Sequence, residues 1–216
     1  MTGQREGDAP FVILAGGRAS RLNGDKALAP FAGATLLDAV LARCRAGSWR
    51  GPIAINANGD PGRFDRFGLP VLVDSIPEFP GPLAGILAAM DWAASSTTRQ
   101  WVGTVPVDTP LLPAGLMGSL QAVLPGLAAD TIICAESASG LHPVVALWPL
   151  CLRESLRQAV VGEGIRRVRD FIARHRLHRV VFPDDGFDAF FNVNSAVELV
   201  AAEAVWRRIR PDSAAG

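Results

Sequence analysis

The chain has 216 residues, 49% of them hydrophobic, which is enough for one full core and short for two. Lys plus Arg and Asp plus Glu balance at 21 each, so no net field directs the protein to nucleic acid or an acidic membrane, and any cationic site must be local. The three cysteines, Cys44, Cys134 and Cys151, stand far apart without a C-x-x-C pair, which argues against a disulfide framework or a zinc site and suits a reducing cytosol. The start, MTGQREGDAP, has no apolar signal region, and no apolar run reaches membrane-spanning length. The expectation is a soluble, cytoplasmic protein.

In chain order, residues 1–8 read as a loose tail. Phe11 to Leu14 is a continuous apolar run, too short for a helix and suited to a strand buried on both faces. It runs into Ala15-Gly16-Gly17, where small residues let the backbone turn sharply and approach a ligand, and Arg18, Arg21 and Lys26 follow. A buried strand opening into a glycine turn with flanking cations suits polyphosphate; the alternative is an ordinary strand-to-helix turn with solvated arginines. Thr35 caps a helix with Leu37, Val40, Leu41 and Cys44 on one face. Ile53–Asn56 is a second strand, 61–69 a short helix, and Val71–Val73 a third strand ending in Asp74.

Gly81-Pro82-Leu83-Ala84-Gly85 opens a helix with Pro82 in its first turn and Leu83, Ile86, Leu87 and Met90 inward. Trp101–Val105 is a fourth strand, running into Pro106-Val107-Asp108-Thr109-Pro110. A helix over 113–124, a strand over 130–135 and a shorter strand over 143–148, antiparallel at the far side of the sheet, come next. Helices over 152–161 and 165–174 precede a strand over 179–182, and Ser195-x-x-Glu198 forms the capping box of a last helix with Leu199, Ala202, Trp206 and Ile209 inward. This alternation predicts an α/β fold: a single domain over 9–209, with a mostly parallel, doubly wound sheet, helices on both faces and flexible tails at 1–8 and 210–216.

In such sheets the ligand crevice lies beyond the carboxyl ends of the strands. Four ends converge there: the glycine loop after Leu14, Asn56, Asp74 and Asp108. Each polar residue alone is an ordinary turn former; together they mark a site. Asp108, between two prolines, is a stiffened carboxylate suited to Mg²⁺ shared with phosphates, or else an N-cap of the next helix. The Gly81–Gly85 segment has no reactive group, so it serves either to let a flat nucleobase lie on backbone or to pack a helix closely on the sheet.

The run Leu14-Ala15-Gly16-Gly17, Arg21-Leu22, Asp25-Lys26 resembles the L-A-G-G-x-S-x-R-M-G-x-D-K signature of the molybdenum cofactor guanylyltransferase family. Ala19, Leu22 and Asn23 depart from it, at positions where the family has Ser, Met and Gly; Asn23 tolerates the positive φ of a turn. The Asp108-Thr109-Pro110, Gly81–Gly85, His142-Pro143 and Asn192-Val193-Asn194 motifs also match.

The resemblance implies a nucleotidyltransferase that moves GMP from GTP to the phosphate of molybdenum-bound molybdopterin and releases pyrophosphate. Arg21, Lys26 and Asp108 would be catalytic, with Mg²⁺ on Asp108. Leu14, Ala15, Gly16, Gly17, Lys26, Asn56, Asp74, Gly81, Pro82, Leu83 and Asp108 would bind the nucleotide. His142, Asn192 and Asn194 would lie on the molybdopterin side, or else satisfy buried backbone. Gly17 and the 81–85 segment favour guanine over cytosine.

A monomer making transient contacts with molybdenum-insertion proteins or apo-molybdoenzymes is expected. Rival readings are a cytidylyltransferase or sugar-nucleotide pyrophosphorylase of the same fold, and a non-catalytic GTP-binding regulator. Arg166, Arg167 and Arg169 read as a solvated basic face on one helix, with phosphate binding the alternative.

Overall fold

The computed structural model describes residues 8–16, 18–19, 24–76 and 81–209. Strands β1 (Phe11–Leu14), β2 (Ile53–Asn56), β3 (Val71–Leu72), β4 (Trp101–Pro106), β5 (Ile132–Ser137), β6 (Gly140–Pro149) and β7 (Leu177–Val181) form one sheet. Their order is β7-β5-β6-β4-β1-β2-β3. Every pairing is parallel except the two made by β6. This is the mixed α/β, mostly parallel architecture that the alternating pattern predicts.

Burial explains the strands. All four residues of β1 are buried, Phe11 and Ile13 toward one face and Val12 and Leu14 toward the other. On the first face lie α1 (Leu36–Arg45) and α3 (Leu116–Ala122), packed through Leu37, Val40, Leu41, Met117 and Leu120. On the second lie α2 (Pro82–Ser96), α4 (Arg153–Val161) and α5 (Val168–Ile172), through Leu83, Leu87, Met90, Leu156 and Phe171. The last helix, α6 (Ala196–Ile209), packs Ala202 and Trp206 on the outer side of α1, against Phe31 and Leu36.

Thr35 begins α1 with a reciprocal capping box: its hydroxyl accepts from the Asp38 N–H, while Asp38 accepts from the Thr35 N–H at 3.0 Å. Near the other end of α1, Arg43 is only 7% exposed. Its guanidinium donates to the carbonyls of Leu112 and Ile209, and burial lowers its pKa.

Four expectations need correction. The strand expected at 143–148 on the far side of the sheet is ten residues long and lies inside it, between β4 and β5. Its alternation is hidden by an irregularity between His142 and Ala146, where Pro143 has no N–H to give a ladder. The Val144 carbonyl freed there accepts from the buried Thr104 hydroxyl at 2.7 Å, and Thr104 in turn accepts from the Trp148 indole at 2.9 Å.

The two helices expected over 113–124 and 165–174 are short. Gly115, at φ 77°, caps α3 late, and α5 begins after Arg167. Arg166 and Arg167 therefore precede α5 rather than riding on it. Finally, Asp8, assigned above to a loose tail, accepts from the Arg50 N–H at 2.5 Å. Residues 1–7 and 210–216 lie outside the described residues.

Glycine is required at one sheet position. Phe11 of β1 pairs with Gly103 of β4, and a methyl group at 103 would fall within the Phe11 ring, itself wedged edge-on to Trp49 at 5.5 Å between centroids. Gly103→Ala is therefore expected to cost about 1–3 kcal/mol of stability, as overpacking does. A lower urea midpoint at unchanged slope would show this, and an unmoved midpoint would mean the ring yields freely.

Candidate active site

The order β3-β2-β1-β4 reverses direction of growth at the β1/β4 boundary, the position where open α/β sheets bind ligands. The carboxyl ends are level there: Leu14 is in register with both Asn56 and Pro106. The chain then continues the ladder one step, Ala15 N–H donating to the Asn56 carbonyl and Val107 N–H to the Leu14 carbonyl.

Three segments meet at this edge. A 3₁₀ turn, Lys26–Leu28, is capped by Asp25, whose side chain accepts from the Ala27 N–H at 3.1 Å. Lys26 Nζ donates to Asp108 Oδ2 at 2.7 Å and to Asn194 Oδ1 at 2.7 Å. The lysine and aspartate side chains are 14% and 22% exposed, so the pair is largely shielded. Asn194 is anchored in turn, because its N–H donates to Glu198 Oε2 at 2.8 Å, and Glu198 also accepts from the Ser195 hydroxyl. The Val193 N–H donates to the Asp108 carbonyl at 2.8 Å, locking the two backbones together. Asp108 is not a helix cap; Gly115 holds that position for α3.

The remaining strand ends form a second cluster. Asn56 is 2% exposed, and its amide donates to the Leu72 carbonyl at 3.2 Å and to Asp74 Oδ1 at 2.9 Å. Asn58 donates to Asp74 Oδ2 at 2.7 Å and receives the Asp74 N–H at 3.0 Å. Asn56, expected to hold the nucleotide, thus acts on Asp74. A side chain at Gly85 would collide with Asn56 Oδ1, which explains the second glycine of the 81–85 segment as close packing of α2 on the strand tips. Gly81, at φ 126°, is the N-cap of α2, with no side-chain cap and Pro82 at the first turn. The early N–H groups of this long helix therefore open at the same edge as Leu14 and Asn56, a setting that favours an anion. Beyond Asp74, Ser75 donates to Asp91 of α2 at 2.6 Å, and Arg157 of α4 donates to the same carboxylate.

Farther along the edge, the ring of His142 stacks on Phe190 at 4.0 Å and 13°, with Nε2 2.8 Å from the Ser137 hydroxyl. Burial lowers its pKa, opposed by Asp188 and Glu136 and aided by Arg169. Arg169 itself donates to the Leu141 carbonyl at 2.8 Å. Asn192 is exposed. Gly17 and Arg21 lie outside the described residues, as do Leu22 and Asn23. Two cavities, of about 460 and 660 Å³, lie away from this edge, one beside Trp206 and the other at the amino ends of β1, β2 and β4.

Asn58, Arg63 and Glu198 were not singled out as site residues from the sequence. Each acts through another side chain, and no spacing rule marks a residue of that kind.

A helix N-terminus and a lysine–aspartate pair at the switch point suit a polyphosphate ligand. Comparison with known proteins agrees: residues 11–180 match the MobA-like NTP transferase domain. The chain is 44% identical over 210 residues to a molybdenum cofactor guanylyltransferase of Bradyrhizobium sp. (strain ORS 278), covering 94% of this chain and 95% of that one. It is 44% identical over 204 residues to that of Rhizobium meliloti (strain 1021), covering 90% of each. The crystal structure of molybdopterin-guanine dinucleotide biosynthesis protein A from Archaeoglobus fulgidus superposes with a TM-score of 0.68 at 19% identity, over 93% of this chain and 100% of that one, so the fold is shared. The chain belongs to the molybdenum cofactor guanylyltransferase family of MobA-like nucleotidyltransferases. Among the described residues, no helix is long and apolar enough to cross a membrane.

The half-buried His142 gives a test of how this end of the site responds to acid. Its folded-state pKa lies below the ordinary 6.5, so the stability it contributes is complete above pH 6.5 and is lost as pH falls through the folded value. His175 is shifted the same way by burial and adds to the same window. His142→Phe, which keeps an aromatic face toward Phe190 and cannot take a proton, is expected to flatten the fall of Tm below pH 6.5 without abolishing it. An unchanged profile would exclude His142 as a contributor.

Proposed function

We infer that the chain transfers GMP from GTP to the terminal phosphate of molybdenum-bound molybdopterin, forming the guanine dinucleotide cofactor and releasing pyrophosphate. The observation that carries this reading is Lys26 Nζ held between Asp108 and Asn194 at the tips of β1 and β4, in a chain whose relatives at 44% identity are named for that reaction.

The obstacle is charge, since a phosphate monoester, largely dianionic at neutral pH, must approach a triphosphate. It needs no general base. The work left to the protein is positioning and electrostatic stabilisation. Lys26 supplies one positive charge at the phosphate side, and Arg21 is proposed to supply another. The N-terminus of α2, with Gly81, Pro82 and Leu83, would receive the nucleotide against backbone alone. Asn56 and Asn58 hold Asp74 ready on the nucleoside side, and Leu14, Ala15 and Gly16 keep the floor free of bulk. Asn192, Asn194 and His142 would face the molybdopterin.

Asp108 fits a hard divalent cation: its carboxylate already faces a positive charge, and it is partly open. Among the described residues no group of three or more His, Cys, Asp or Glu is placed to cage a metal, which suits an ion completed by phosphate oxygens. Mg²⁺ bound there would neutralise charge on the triphosphate. Lys26 balances the Asp108 carboxylate from the protein side.

Purified protein with Mg²⁺, molybdopterin carrying molybdenum, and GTP is expected to release pyrophosphate, with little release from CTP. Asp108→Ala and Lys26→Met, folded by circular dichroism, are each expected to lose about a hundredfold or more in rate, about 2.8 kcal/mol at about 1.4 kcal/mol per tenfold. Near-normal turnover by Asp108→Ala would remove the metal role. Preference for CTP would replace guanylyl transfer by cytidylyl transfer. GTP binding without pyrophosphate release would favour a regulator.

A further inference from the structure

Arg63, in the 3₁₀ turn Pro61–Phe67, joins the two clusters of the crevice. Its Nε donates to Asp25 Oδ2 at 2.5 Å, one terminal nitrogen donates to the Asp60 carbonyl at 2.5 Å, and the other to the Asn58 carbonyl at 2.7 Å. The ring of the fully buried Phe64 lies 4.5 Å from the guanidinium carbon. Gly59, at φ 87°, lets the chain curl around the head group, and a Cβ there would stand 3.2 Å from it.

The partners give this fork its meaning. Asp25 spends its other oxygen capping the turn that begins with Lys26. Asn58 spends its side chain on Asp74, through both Oδ2 and the N–H. One planar group thus connects the cation of the phosphate side with the carboxylate of the nucleoside side. A guanidinium fixes its donors in a rigid plane, which the point charge of a lysine does not. Each of the three nitrogens donates to a protein oxygen, and through these neighbours Arg63 can act on a ligand.

We propose that Arg63 is a positioning residue that sets the spacing between the phosphate-side and nucleoside-side half-sites, so that a nucleoside triphosphate engages both at once. The proposal rests on the nucleotidyl-transfer reading above. When two half-sites are held at the span of the ligand, joining the halves raises affinity without adding a contact, and a loosened span loses that gain while each half still binds.

The test measures displacement of a fluorescent GTP analogue by GTP, guanosine and inorganic tripolyphosphate, with Mg²⁺, on the full chain and on Arg63→Ala, Arg63→Lys and Asp25→Asn, with Tm recorded for each. For Arg63→Ala the GTP constant is expected to weaken tenfold or more, while guanosine and tripolyphosphate stay within twofold. Arg63→Lys, which keeps the charge and loses the fork, is expected to weaken GTP at least threefold, and it serves if the alanine variant does not fold. Asp25→Asn combined with Arg63→Ala is expected to be no worse than the arginine change alone.

GTP within twofold of wild type in both arginine variants would overturn the proposal. So would a parallel loss of guanosine or tripolyphosphate, which would make Arg63 a builder of one half-site or of the fold. The same panel is run with CTP and cytidine. A wild-type preference for these would sink guanylyl transfer and leave the spacing comparison to be read on the cytidine ligands.

Discussion

The structure at the strand tips depends on an ammonium and a carboxylate brought to 2.7 Å from positions 82 residues apart. Neither charge is well solvated, so each needs the other: a shielded ion left without its partner costs far more than the pair gains when complete. That mutual need ties the turn after β1 to the loop after β4 across the switch point. Asn194 extends the bond to the start of α6, and the Val193–Asp108 backbone contact fixes its direction. The sheet supplies the level edge on which this happens, with Leu14, Asn56 and Pro106 in register and an apolar layer packed on each face.

Much of this was legible in the residues. Phe11–Leu14 and Ile53–Asn56 are short apolar runs bounded by turn formers, and the helices behind Thr35 and Gly81 carry their own start signals. Such features are local, and local chemistry decides them. The carboxyl-end rule then gathered the glycine loop after Leu14, Asn56, Asp74 and Asp108 at one edge with no knowledge of their contacts.

What escaped was whatever depends on a partner distant in the chain. β6 looked like a short strand at the far side because its register breaks between His142 and Ala146, and the compensating hydroxyl comes from Thr104 on another strand. The bond from Asn56 to Asp74, and the close approach of Gly85 on α2 to the same amide, also join segments distant in the chain. Arg63 had no mark of its own within the short helix expected at 61–69. Its meaning lies in Asp25 and Asn58, and only folding brings the three together.

The backbone bond between Val193 and Asp108 involves no side chain from either segment. Apart from Asn194, whose amide holds Lys26, the loop that follows β7 can therefore exchange its side chains without losing its tie to the strand tip. Sequence can drift along that loop while the seam of backbone beneath it stays where it is.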